Sequence, residues 1–135
     1  MAHLNQNAIT LLESTASVDL NGAGGTETAL YTVPPGKMCL VTHIVIHTMS
    51  ADAAAAVVTF GKTGGACDEF RGDQTLSGLS AAGKYTVIYL DQGTNDTPEA
   101  GTEFDAGESV GVEITTQAGG ACTCTMAVFG YLVDA

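Results

Sequence analysis

The residues best suited to chemistry are four cysteines, two histidines four positions apart and a run of carboxylates, and their spacing argues against each obvious use. Cys122 and Cys124 form a C-x-C pair in a strand-like run. They project from one face about 7 Å apart, too far for an unstrained disulfide. Cys39 and Cys67 stand alone, and no C-x₂-C or Cys/His knuckle spacing offers zinc a site. Near the N-terminus nothing joins a basic segment, an apolar core and a small-residue cleavage site, so the thiols are expected to be reduced and to pack as small hydrophobes. His43 and His47 fall in a strand pattern. Their Cβ atoms are then about 13 Å apart and cannot share one metal. They read either as polar positions on a partly covered face or as a subunit contact that responds to pH near 6.

Carboxylates crowd residues 91–107, with Asp91, Asp96, Glu99, Glu103 and Asp105, and Glu108 follows. Six to eight oxygens could bind Ca²⁺, but the alternating ligand spacing of a calcium loop is missing, and a solvated acidic loop is the simpler reading. Gly61-Lys62-Thr63 resembles the tail of a phosphate loop, yet the glycine required five residues earlier is Ala56. Arg71-Gly72-Asp73 matches an adhesion triplet in three residues only. With no ordered Ser-His-Asp set and no nucleophile elbow, the expectation is a protein that is not an enzyme and carries no cofactor or metal.

Composition narrows the partners. Fifteen Asp and Glu against four Lys and Arg leave a formal charge of -11. Such a surface opposes nucleic acid and anionic membranes alike. No apolar run approaches the roughly 20 residues that span a bilayer, so the reading is a soluble chain made in the cytoplasm.

The elements that must position these residues are strands. In residues 30–48, LYTVPPGKMCLVTHIVIHT, a short apolar run reaches Val33 and a Val/Ile-rich run begins at Met38. Between them Pro34, Pro35, Gly36 and Lys37 make a tight corner, because neither proline nor a turn glycine suits a strand interior. Alternation puts Leu40, Ile44 and Ile46 on one face and Val41, His43, Val45 and His47 on the other. Residues 84–90 place Tyr85, Val87 and Tyr89 opposite Thr86, Ile88 and Leu90. Both faces are apolar, which predicts a strand covered on both sides or one at a subunit interface. Val110, Val112 and Ile114 mark another strand, and Cys122, Cys124, Met126 and Val128 share a face of the last. Residues 50–56 are Ala-rich but short, and residues 64–83 read as polar loop pieces. The sum is an all-β chain: an antiparallel β-sandwich of jelly-roll type with about eight strands. Residues 1–25 are an N-terminal strand or extended arm with a Gly-rich connection, and residues 26–135 are the sandwich domain.

Three segments taken in order, LYTVPPGKMCLVTHIVIHT, FDAGESVGVEITT and TCTMAVFGYLVDA, resemble the small jelly-roll structural proteins of tailed bacteriophages. They cover a little under half the chain, and the Val33-Pro34-Pro35-Gly36-Lys37 corner is the most specific of them. The resemblance implies a virion component without catalysis. A capsid decoration or cement protein on the outer head surface, often trimeric and bound to the major capsid protein, is the first expectation. A tail or head-fibre component that binds a host-surface glycan is the alternative.

Overall fold

A computed structural model describes residues 8–89 and 103–135 and contains nine strands. They are β1 (Thr10–Asp19), β2 (Glu27–Thr32), β3 (Lys37–His47), β4 (Val57–Lys62), β5 (Arg71–Thr75), β6 (Thr86–Tyr89), β7 (Glu103–Asp105), β8 (Ser109–Thr116) and β9 (Thr123–Asp134). One sheet runs β1-β9-β3-β6, with β7 beside β6 on the same edge of β3; the other runs β2-β8-β4-β5. All pairings are antiparallel, and chain-order neighbours repeatedly land in opposite sheets, which is the double Greek key of a jelly roll.

Alternation builds the core between the sheets. Cys124, Met126 and Val128 point inward from β9, Val110, Val112 and Ile114 from β8, and Val58 and Phe60 from β4. All are essentially removed from water, so hydrophobic burial holds the two layers together. Residues 10–19 belong to this structure: β1 pairs along β9, and Val18 with the adjoining Leu20 sits in the core.

The proline corner carries the chain from one sheet to the other. Pro34 to Lys37 is a type II turn with Pro35 at its second position and Gly36, φ 77°, at its third. The Lys37 N–H donates to the Pro34 carbonyl (3.3 Å), while buried Val33 exchanges backbone bonds with the turn after β7: its N–H donates to Glu108 O (3.0 Å), and its carbonyl accepts from Gly107 N (2.9 Å). Lys37 pairs with Asp134 at the far end of β9.

Four expectations are corrected. Strand β3 does not keep one alternation, because Cys39 and Val41 point inward in its first half and Ile44 and Ile46 in its second. A β-bulge at Thr42 adds a residue between the Val41–Gly130 and His43–Phe129 pairs, and this flips the face. Leu40 therefore lies outward, beside Tyr131, instead of with Ile44. Second, Arg71-Gly72-Asp73 begins strand β5 instead of lying in a loop. Third, Glu103 and Asp105 belong to strand β7, which pairs with β3, whereas Asp91, Asp96 and Glu99 lie outside the described residues. Fourth, of the two readings of residues 84–90 the one with both sides covered is overturned, the subunit-interface reading being untouched: Ile88 is buried, while Tyr89 and the adjoining Tyr85 stand in solvent; Leu90 lies outside the described residues.

Candidate interaction surfaces

The outward faces of the two sheets were built differently by the sequence. On the β2-β8-β4-β5 sheet, outward positions Gly61 and Gly111 sit opposite each other on β4 and β8 and leave a dent in the surface. Residues 63–70 fold into it. A Cβ on Gly61 would lie 2.7 Å from the backbone of Cys67 and Asp68, and one on Gly111 would strike the Thr63 methyl. The cover is tied down by carboxylates: Glu69 Oε2 accepts from Lys62 N (2.8 Å), and Glu27 Oε2 accepts from Gly64 N (2.9 Å). Phe70 then returns to the core as its N–H donates to Phe60 O (3.0 Å).

Cys67 is sealed beneath this cover. Burial, reinforced by Glu27, Glu113 and Glu69, pushes its thiol up to about 12. Cys39 is pushed up to about 11 and Cys124 to about 12, in each case first by burial. All four cysteines are free and buried, and thiols held as far from ionising as those of Cys39, Cys67 and Cys124 are poor nucleophiles and poor metal ligands. Nearby Thr59, outward on β4 but 4% exposed, finds no hydrogen-bond partner for its hydroxyl among the described residues. Among those residues no three His, Cys, Asp or Glu converge on a metal position.

Among the described residues, nothing covers the outward face of the β1-β9-β3-β6 sheet in this way. Leu11 on β1 pairs with Phe129 on β9, Phe129 with His43 on β3, and His43 with Tyr89 on β6, giving one row across all four strands. The His43 ring stacks on Phe129 (centroids 4.7 Å, planes 4° apart) and tilts toward Tyr89 (5.7 Å). Its Nδ1 bonds Thr42 Oγ1 (2.9 Å), and burial among the rings lowers its pKa. The next row is Ser14, Ala127, Val45 and Val87. His47, at the end of β3 opposite Thr125, bonds Thr48 Oγ1 (2.8 Å) instead of joining the rings.

Of the residues singled out from sequence, His43, Val87 and Tyr89 are brought together on this face. Tyr85 lies just outside β6. The proline corner is distant in role: it sets the crossover between sheets. Sequence reasoning missed Phe129 and Leu11 as members of the row. The signal for Phe129 was present in the alternation of β9; the Leu11 position depends on a bulge between Leu11 and Glu13.

No protein-family model matches the sequence, and no curated protein does. The fold is similar to known structures. A chain of the cyanophage Pam1 capsid asymmetric unit superposes with a TM-score of 0.54 at 14% identity, covering 91% of this chain and 84% of that one. A chain of the capsid of Ralstonia phage GP4 superposes with a TM-score of 0.56 at 16% identity, covering 96% of this chain and 86% of that one. At these identities the likeness is one of fold.

Proposed function

We infer that this chain is a structural component of a bacteriophage capsid, a decoration or cement protein that sits on the outer head surface and bridges neighbouring subunits of the major capsid protein. The observation that carries this reading is the near-complete coverage of the chain by folds taken from two phage capsids. Charge supports the outer location, since a body of -11 is repelled by packaged DNA and gains nothing from the capsid interior. The chemistry also suits adhesion over catalysis: the thiols are buried, and among the described residues one sheet keeps an apolar outward face open. A cement protein of this kind acts by burying surface between shell subunits, most simply as a homotrimer, so that pulling one capsomer away requires exposing that surface again.

The test is the particle. Purified virions are expected to contain the chain in near-stoichiometric ratio to shell subunits, and particles lacking it should release DNA at lower temperature. Its absence from virions, or its presence only in tail fractions, would refute the reading. A second reading, glycan binding by a fibre component, is favoured by one observation: Tyr85 and Tyr89 are 73% and 44% exposed, as sugar-stacking rings must be. Binding on a glycan array, lost in Tyr85→Ala, would support it; a cement protein should bind none.

A further inference from the structure

We propose that the outward face of the β1-β9-β3-β6 sheet is the seat of a second copy of this chain, with the stacked His43–Phe129 pair at the centre of the contact. The proposal deepens the capsid reading, resting on it only for the need of lateral contacts, and names the chain itself as the partner.

The first argument is where the exposed apolar surface lies. Among the described residues the large hydrophobic side chains left in solvent are Ile9, Leu11, Tyr85 and Tyr89, between 44% and 73% exposed. Leu11 and Tyr89 end the row that runs through Phe129 and His43, while Ile9 and Tyr85 immediately adjoin β1 and β6. None lies on the other sheet, whose outward face the chain covers in part with its own residues 63–70. The row crosses four strands, roughly 14 Å between the outer strand axes. That is the core of a contact to which flanking residues must add, since a stable interface removes about 800 Å² per partner.

The second argument is charge, and it chooses the occupant. The chain carries fifteen carboxylates, yet the two central rows of this face carry none; those that share the face stand at its rim, Asp19 at the end of β1 and Glu103 and Asp105 on β7, beside Leu40 and Met38. Two copies of charge -11 repel wherever carboxylates must meet or be desolvated, so the carboxylate-free central rows, with the acidic groups kept to the rim, are where like copies can touch. A cationic partner would gain nothing from the neutral central rows and would seek the more acidic surface instead. The two cases respond oppositely to salt: screening relieves repulsion between like copies, whereas it weakens attachment to a basic partner.

Sedimentation of the purified chain, with no capsid present, tests this apart from the capsid reading, so that failure of either leaves the other standing. The expected result is a concentration-dependent oligomer that tightens as salt is raised, and that Phe129→Glu weakens about 30-fold or more, the loss typical of a central contact residue. Thr115→Glu, an exposed position on the other sheet, should leave it unchanged. Should Phe129→Glu fail to fold by circular dichroism, Leu11→Glu, at a position 51% exposed, takes its place. A monomer at all concentrations and salts, association that weakens with salt, or association that survives the charge on the row would each overturn the proposal.

Discussion

The two outward sheet faces differ in who covers them. Both belong to one sandwich and share one core, but on the β2-β8-β4-β5 face residues 63–70 fold over Gly61 and Gly111, whereas on the β1-β9-β3-β6 face no described residue roofs the row of Phe129, His43 and Tyr89. Glycine makes the difference on the first. Paired Gly61 and Gly111 give up side-chain packing of their own so that another backbone can approach, and three carboxylates ring the thiol that fills the space. On the second, every outward position in the central rows carries a side chain, and no loop of the described residues returns over them. An apolar face left open on a highly charged molecule is the exception that calls for a partner.

The most damaging way to break this contrast is Gly130→Ala. Gly130 faces Val41 beside the β3 bulge, and an added methyl would run into the Leu40 carbonyl, which is backbone and cannot move aside. We expect a loss of roughly 3–4 kcal/mol, measured by urea unfolding, with the β3–β9 pairing disturbed and the outward row misaligned. Unchanged stability would mean that the bulge is not held by this glycine.

Gly61→Ala attacks the covered face and should cost about 2–3 kcal/mol, because residues 67 and 68 must lift. It also sharpens the contrast, since Cys67 should become reactive toward a thiol reagent under native conditions while Cys39 and Cys124 stay silent until unfolding. In the parent chain all four thiols should react only on unfolding. Mass mapping of the labelled cysteines distinguishes these outcomes, and prompt labelling of the parent at Cys67 would show that the cover is open.

The smallest effect concerns His43. Burial among the rings lowers its pKa, so the unfolded chain takes up the proton first as pH falls through about 6.5. Stability contributed by the neutral ring is thus intact above that pH and declines as pH drops toward the lower folded value. His43→Phe should remove this part of the acid sensitivity. Comparing the fall in Tm between about pH 7.5 and about pH 5 in the two proteins checks it. Equal falls would place His43 outside the linkage.

Much of the architecture was legible in the chain. Pro35-Gly36 can hardly be anything but a turn, and the alternation in β8 and β9 named the buried residues correctly, because both strands keep a two-residue period against a continuous core. The same rule failed in β3, where the shift at Thr42 depends on Gly130, a residue some ninety positions away. It also passed over β5, whose exposed, polar residues lack an alternating signal and become a strand because β4 is beside them. For the candidate surface, His43, Val87 and Tyr89 could be singled out by type, but nothing local joined them to Phe129 and Leu11.

The sequence by itself determined an acidic all-β chain with a proline-glycine corner, since composition, turn chemistry and period are properties of neighbours along the chain. Only the tertiary structure decided which face the chain roofs and which face no described residue covers. That choice rests on pairings between residues far apart in sequence: two glycines across β4 and β8 that admit a loop, and one beside a bulge that turns His43 outward.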